Sequence, residues 1–136
     1  MPFITFYESD FYKIEVDTAQ NLLRAIWLRP ISYAEMKTGG TKLYEVLLDT
    51  EVELAIANAK TLTSLSAETK AWMSSTFYEL LSQTKLRKLA RVLPDNVFHL
   101  IALESVVTRA EAMGVTKFVV KNFSDPAIAL RWITTP

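Results

Sequence analysis

Short runs of aromatic and β-branched residues open the chain and predict three successive strands. Phe3 to Glu8 and Phe11 to Val16 are separated by two polar residues, a pattern typical of a hairpin. A polar turn at residues 17–21 leads into a third strand, Leu22 to Leu28. Pro30 ends that strand because proline lacks the N–H that a strand ladder requires.

A helix is predicted immediately afterwards. Ser32 and Glu35 fit a capping box, in which both side chains satisfy backbone donors at a helix start. The apolar stripe behind the box holds Met36, Gly40, Leu43 and Leu47. Glycine costs about 1 kcal/mol relative to alanine inside a helix. The pair Gly39-Gly40 therefore predicts a close approach of this helix to a sheet, with Gly40 facing inward. A phosphate-binding loop at residues 38–42 is the rival interpretation, but the G-x-x-x-x-G-K-[ST] spacing is missing.

Strands and helices then alternate to the end of the chain. The further strands are predicted at Glu51 to Ala57, Leu86 to Leu93 and Lys117 to Phe123. The further helices are predicted from Ser66 to about Thr84, from Asp95 to about Met113 with Gly114 as a stop, and from Pro126 through Trp132.

This order of elements, β-β-β-α-β-α-β-α-β-α, predicts the α/β class. Strands that alternate with helices imply right-handed crossovers and a single mixed, mostly parallel sheet, here with an antiparallel N-terminal edge and helices packed on it. The pattern contains no linker and no internal repeat, so residues 1–136 are expected to form one domain.

Composition narrows the classes of function. The 15 acidic and 15 basic residues give a formal net charge of zero, which does not favour binding to nucleic acid. Cysteine is absent, so disulfides and thiolate chemistry are excluded. The N-terminal residues do not resemble a signal peptide, and no apolar run approaches the roughly 20 residues of a membrane span. A cytoplasmic protein is the expectation.

The sequence offers only weak candidates for a catalytic or metal-binding group of residues. His99 is the only histidine and cannot by itself build a His-rich metal site. Glu51 and Glu53 share one face of a predicted strand, a pattern that a solvent-facing edge also produces. Residues 85–91 hold a basic run whose members fall on both faces of a strand. We therefore expect no catalytic residues, no metal, no cofactor and no enzyme activity.

Three stretches resemble the small bacterial STAS-like proteins, also labelled STAS/SEC14-like domain proteins. They are Ala25-Ile26-Trp27 followed by the capped helix at Ser32, the helix opening from Ser66 to Trp72, and the ending Ala129-Leu-Arg-Trp132-Ile133. The resemblance implies a STAS-like domain over nearly the whole chain, the fold of anti-sigma-factor antagonists. Those antagonists are regulated by phosphorylation of a helix-start serine within an Asp-Ser pair followed by glycine. Residues 58–66 lack both features, so Ser66 is only a weak candidate phosphosite and a good plain N-cap.

Two hypotheses of function follow. The first is a non-catalytic regulatory or protein-interaction module that binds a protein partner or itself as a homodimer. Its candidate interface is the aromatic N-terminal hairpin: Phe3, Phe6, Tyr7, Phe11 and Tyr12. The alternative is a carrier that encloses a small apolar ligand between helices and sheet, as the lipid-binding label of such proteins implies. The candidate pocket residues are Tyr33, Met36, Trp72, Met73 and Phe77.

Overall fold

A computed structural model shows a six-stranded sheet with helices packed on its two faces. It describes residues 3–63, 65–114 and 116–135, with only the backbone described at 97–100 and 102. The strands are β1 (Ile4–Glu8), β2 (Tyr12–Asp17), β3 (Leu22–Trp27), β4 (Leu54–Asn58), β5 (Lys88–Val92) and β6 (Val119–Phe123). The helices are α1 (Tyr33–Thr50), α2 (Ala67–Trp72), α3 (Tyr78–Ser82), α4 (Val97–Ala112) and α5 (Pro126–Thr134). A π-helical segment, Met73–Phe77, joins α2 to α3.

The strands lie side by side in chain order, β1-β2-β3-β4-β5-β6. The pairs β1–β2 and β2–β3 are antiparallel, and the three following pairs are parallel. The predicted α/β class, element order and antiparallel N-terminal edge are therefore confirmed. None of the described helices is long and apolar enough to cross a membrane.

The two faces of the sheet bury two separate apolar clusters. The covered face, which α1, α2, α3 and α4 overlie, contributes Ile14, Leu23, Ala55 and Leu89 to the larger cluster. The open face contributes residues of the opposite alternation, Leu22, Ile56, Ala90 and Val92, to the smaller one. Among the described helices, α5 is the one that packs on the open face, where it contacts β4, β5 and β6. Three same-handed crossovers between neighbouring strands place their helices on one side, which explains the asymmetry.

The paired glycines of α1 are buried within a continuous helix, which rules out the loop interpretation. A Cβ atom on Gly39 would lie 2.7 Å from the Trp27 ring and 2.9 Å from the Tyr12 ring. A Cβ atom on Gly40 would instead lie 2.9 Å from Trp72, in α2. The prediction that Gly40 permits the helix–sheet approach is therefore wrong in its residue. Gly39 allows α1 to approach the sheet, and Gly40 allows it to approach the neighbouring helix.

The start of β4 is later than predicted. Glu51 has a left-handed backbone conformation (φ 57°) and ends α1, with its N–H bonded to the Leu47 carbonyl. The backbone N–H of Glu53 then bonds to the Asn21 side chain, so β4 begins only at Leu54. The strands β5 and β6 are likewise shorter than the apolar runs that predicted them, because those runs include residues of the connecting loops.

The N-terminus of α1 carries the predicted capping box. The Ser32 hydroxyl accepts from the Glu35 N–H, and the Glu35 carboxylate accepts from the Ser32 N–H. The same carboxylate accepts two hydrogen bonds from the Arg29 guanidinium, at 2.7 and 3.1 Å. The Arg29 hydrogen bonds, together with the Ser32 N–H, lower the pKa of Glu35 to about 2.

Trp132 is only partly buried, although its helix packs against the sheet. The residues of α5 that are buried are Ala129 and Ile133. Trp132 is half-buried, packs against Phe123, and has the ammonium group of Lys88 5.2 Å from its ring centroid. Trp132 therefore lies at the border of the apolar patch that α5 covers, with one part of its ring buried and another part near water.

Candidate ligand-binding site

An internal cavity lies between the covered face and the helical stretch from α2 to α3. Its volume is about 30 Å³, room for one or two water-sized groups. Thirteen described residues line it, and all except Ala57 are at most 6 % exposed. Most of the lining is apolar, including Leu43, Leu62 and Leu89. The cavity is therefore part of the protein interior and not a surface depression.

Two alanines in and just after β4 contribute to this unfilled space. The sheet beneath the helix presents Ala57 in β4 and Ala59 just after it. Side chains that end at Cβ leave space between the sheet and the helix layer, and the larger Trp27 and Leu89 line the cavity beside them. The Ala59 N–H bonds to the Val92 carbonyl, which holds the loop after β4 against β5.

The helix above the cavity changes its hydrogen-bonding pattern at this place. The Ser74 hydroxyl donates to the carbonyls of Lys70 and Ala71, and the Ser75 hydroxyl donates to the Ala71 carbonyl. These carbonyls are the acceptors that an α-helical ladder would use for residues 74 and 75, so the hydroxyls compete with it. The result is the π-helical segment Met73–Phe77, a feature found mostly as single turns and frequently at functional sites.

Arg91 is the only charged side chain among the described residues that line the cavity, and it is 3 % exposed. Its Nε donates to the Asn122 side chain at 3.0 Å, its Nη1 to the Tyr78 hydroxyl at 3.1 Å, and its Nη2 to the Leu103 carbonyl at 3.0 Å. All of these acceptors are neutral. The described residues include all 15 acidic side chains, and none of them forms an ion pair with Arg91.

Two phenol groups accompany this guanidinium. Tyr78 and Tyr12 both line the cavity, and both are buried. The Tyr12 ring stacks on Trp27 with a centroid separation of 3.7 Å, which fixes its position. Burial, with a smaller effect of the nearby Tyr78, raises the pKa of Tyr12 far above its usual range. Tyr12 therefore stays a neutral hydroxyl, which can donate or accept a hydrogen bond.

The predicted pocket residues divide between the cavity and its surroundings. Met73 and Phe77 line the cavity. Trp72 is half-buried and stacks on Phe77 with centroids 5.5 Å apart, so it packs behind the wall. Met36 is fully buried in the same apolar cluster without lining the cavity, and Tyr33 lies at the start of α1 beneath the ammonium group of Lys37.

The predicted interface residues also divide. Phe11 and Tyr12 are buried in the core and cannot contact a partner. Tyr7 is half-buried against Tyr12, and the half-buried Phe3 lies under the Arg24 guanidinium at 3.7 Å. Phe6 is 46 % exposed, at an irregularity in the β1–β2 register. The hairpin thus has one exposed aromatic ring on β1, the edge strand of the sheet.

The remaining candidates have structural partners. Ser66 is the N-cap of α2 and accepts from the Thr69 N–H at 3.0 Å. Glu51 pairs with Lys85 at 3.4 Å, and Glu53 pairs with Arg87. His99 is in α4, but its side chain lies outside the described part of the chain.

Sequence analysis does not identify Arg91 as a residue of the candidate site. Arg91 belongs to the basic run at residues 85–91, yet in the alternation of a strand it lies two residues from both Leu89 and Leu93 and therefore shares their face. That alternation was the available signal. It was ambiguous because both faces of a parallel strand are usually buried.

A second, larger depression lies on the open face, between α5 and β3. Its volume is about 440 Å³, and Ile26, Ile56 and Leu130 form apolar parts of its lining. Its charged residues neutralise each other, because Arg24 pairs with Glu15 at 2.6 Å. Among the described residues that line this groove, no charged side chain lacks an ion-pair partner.

No family model, curated protein or solved structure matches this chain. The resemblance to STAS-like proteins therefore stays a prediction. Within the described ranges, no three His, Asp or Glu side chains are grouped so that they could hold a metal ion.

Proposed function

We propose that the protein is a non-catalytic binding module that holds a small, mainly apolar ligand in the cavity between the α2–α3 stretch and the sheet. The observation that supports this proposal most is the group of buried hydrogen-bonding side chains, Arg91, Tyr12 and Tyr78, around unfilled space in an otherwise apolar core. Ligand sites are typically apolar concavities with a few convergent polar groups.

The closed cavity is smaller than a complete ligand, so binding requires the wall to move. Three properties of the wall favour such movement. The π-helical segment departs from the regular hydrogen-bond ladder. Met73 has a flexible, unbranched side chain. Leu62 belongs to a connection without regular structure, between β4 and α2. A shift of this wall enlarges the cavity without disturbing the strand pairing.

Filling the cavity tests this proposal. Ala57→Val adds two methyl groups at the cavity floor with a residue that strands accommodate well. Ala34→Val makes the same chemical change on the exposed side of α1 and is the matched control. Freshly purified proteins are denatured and extracted, and the small molecules released are measured by mass spectrometry.

We expect a bound compound in stoichiometric amount from the wild type and from Ala34→Val, and strongly reduced occupancy in Ala57→Val. Equal occupancy in all three proteins would place any bound compound elsewhere. The absence of any compound, together with no ligand-induced change in Tm for a panel of small apolar molecules, would contradict the proposal.

Self-association through β1 is the second candidate function. The observation in its favour is an edge strand with two exposed apolar side chains, Ile4 at 63 % and Phe6 at 46 % exposure. A stable two-fold contact would need to bury upward of roughly 1,000 Å². Light scattering coupled to size exclusion tests this for the wild type and for Ile4→Ser combined with Phe6→Ser. A wild-type dimer that the double substitution converts to a monomer would support it, and a wild-type monomer at tens of micromolar would end it.

A further inference from the structure

The charge of Arg91 makes the ligand's chemistry more specific. A buried cation without a counter-ion is costly, because the ion gives up its hydration by water and gains no opposite charge in return. Three neutral acceptors solvate part of the guanidinium, but they do not neutralise it. The cavity adjoins this charge, so the missing negative charge has a place to bind.

The cavity and its single cation together restrict the anion. A guanidinium pairs with a carboxylate through two N–H groups, and three of its five N–H groups have acceptors in the described structure. The volume of about 30 Å³ accommodates a head of two oxygen atoms. A phosphate or sulfate dianion would bring a second negative charge, and no second charged side chain is among the described lining residues.

We propose that the ligand is a small monocarboxylic acid whose carboxylate pairs with Arg91 inside the cavity. This inference rests on the proposed function, because it assigns the head group of the same ligand. The Tyr78 hydroxyl positions the guanidinium by accepting from Nη1, and the neutral Tyr12 hydroxyl is available to donate to the ligand. The hydrocarbon chain of the acid then lies along Met73 and Phe77.

A comparison of an acid with its neutral amide directly tests whether binding requires a negative charge on the ligand. Butanoate and butanamide have nearly the same shape, and only butanoate is negatively charged. Binding is measured by saturation-transfer NMR and by Tm, with sodium chloride at equal ionic strength as the salt control. We expect butanoate to raise Tm by several degrees at saturating concentration, and butanamide and chloride to leave it unchanged.

Two variants assign the effect to Arg91. Arg91→Met removes the charge at similar volume, and Arg87→Met makes the same change at an exposed position just before β5. We expect butanoate binding to weaken roughly 10- to 100-fold in Arg91→Met, because hydrogen bonds to charged groups contribute most to affinity. We expect Arg87→Met to bind as the wild type does. Tyr78→Phe keeps the ring and removes the positioning hydroxyl, so it should weaken binding less than Arg91→Met.

The outcomes separate this inference from the proposed function. If butanamide binds as tightly as butanoate, the cavity takes ligands but the carboxylate assignment is wrong. If chloride reproduces the effect of butanoate, the site is a simple anion site and the assignment is also wrong. If neither the acid nor the amide binds while another small apolar molecule does, the carboxylate assignment is wrong and the proposed function stands. If no molecule of the panel binds and none co-purifies, both fail. Should Arg91→Met not fold, Tyr78→Phe and the wild-type comparison of acid with amide still decide the matter.

Discussion

Arg24 and Arg91 lie two strands apart in the same sheet, on opposite faces, and their environments differ in one decisive respect. Arg24, on the open face, has the Glu15 carboxylate at 2.6 Å and the Phe3 ring beneath its guanidinium. Arg91, on the covered face, is more deeply buried and has only neutral hydrogen-bond acceptors. Burial alone therefore does not single out a candidate site. The Arg91 region is the candidate because it combines burial of a charge with the absence of an ion-pair partner among the described residues.

The comparison extends from the two arginines to the two faces. The covered face is overlaid by four helices and holds the larger apolar cluster, and the cavity described above includes a charged group in its lining. Of the described helices, α5 alone covers the open face, which has the wider groove and the ion pair of Arg24 with Glu15. The larger concavity is thus the poorer candidate, because the chemistry of its lining is already satisfied.

Truncation of one residue on each face of β3 should show the largest difference between the faces. Leu23 is fully buried beneath the helices, and Ile26 is half-buried at the open-face groove. We expect Leu23→Ala to lower the free energy of unfolding by about 2–5 kcal/mol, through lost burial and a residual cavity. We expect about 1 kcal/mol for Ile26→Ala. Chemical denaturation measures both, and equal losses would show that the two faces are packed alike.

The two faces of the sheet should also differ in how well they tolerate a larger side chain. Gly39→Leu forces atoms into the Trp27 and Tyr12 rings, whereas Ala127→Leu extends an exposed residue at the groove on the open face. We expect a loss of about 1–3 kcal/mol for Gly39→Leu and almost none for Ala127→Leu. The measurement is thermal melting with far-UV circular dichroism. A wild-type Tm for Gly39→Leu would mean that α1 does not need the close approach.

Removal of the partner of Arg24 should have a modest effect. Glu15→Gln abolishes the negative charge but keeps a hydrogen-bonding side chain next to Arg24, whose side chain is 40 % exposed. Glu15 is buried, but water reaches the Arg24 side of the pair and screens it, so we expect a loss of about 1 kcal/mol in the free energy of unfolding. A much larger loss would show that Arg24, like Arg91, depends on a specific counter-charge, and the contrast between the two would weaken.

The smallest effect concerns the pH dependence of the capping carboxylate. Since the Arg29 guanidinium lowers the pKa of Glu35 from 4.5 to about 2, Glu35 stabilises the folded state fully above about pH 4.5. This contribution is lost as the pH falls from 4.5 to 2, because protonation then removes the charge that Arg29 and the Ser32 N–H bind. Unfolding free energies measured across this window should fall more steeply for the wild type than for Glu35→Gln. Parallel curves would remove Glu35 as a contributor.

The fold could be predicted from the sequence because the features that specify it are local. The apolar alternation of the strands, the Ser32–Glu35 capping box, and Gly114 with its φ of 71° each specify structure within a few residues. The element order then follows from chain connectivity. The π-helical segment was not predicted, since it arises from serine hydroxyls competing with the backbone, a pattern that many regular helices also contain.

Only part of the candidate site could be predicted from the sequence, for a different reason. Met73 and Phe77 were predicted to face the sheet because helical periodicity shows which side of a helix is inward. Arg91 was not predicted to belong to the site, because a sequence does not show whether any of the 15 acidic side chains lies close enough to pair with a given arginine. Tyr12 was assigned to an exposed interface, whereas its position opposite Trp27 in the β2–β3 pair places it in the core. Counter-charge and cross-strand partners are set by tertiary packing.

One NMR titration tests the central claim most directly, because both arginines report in the same spectrum. The Nε–H group of Arg24 bonds to Glu15, and that of Arg91 bonds to Asn122. After assignment of both ¹⁵Nε–H signals with the help of Arg91→Met, butanoate is added to the wild-type protein. The account predicts a saturable shift of the Arg91 signal and a stationary Arg24 signal. An Arg91 signal that does not move, or one that moves in parallel with Arg24 as a general salt effect, would contradict it.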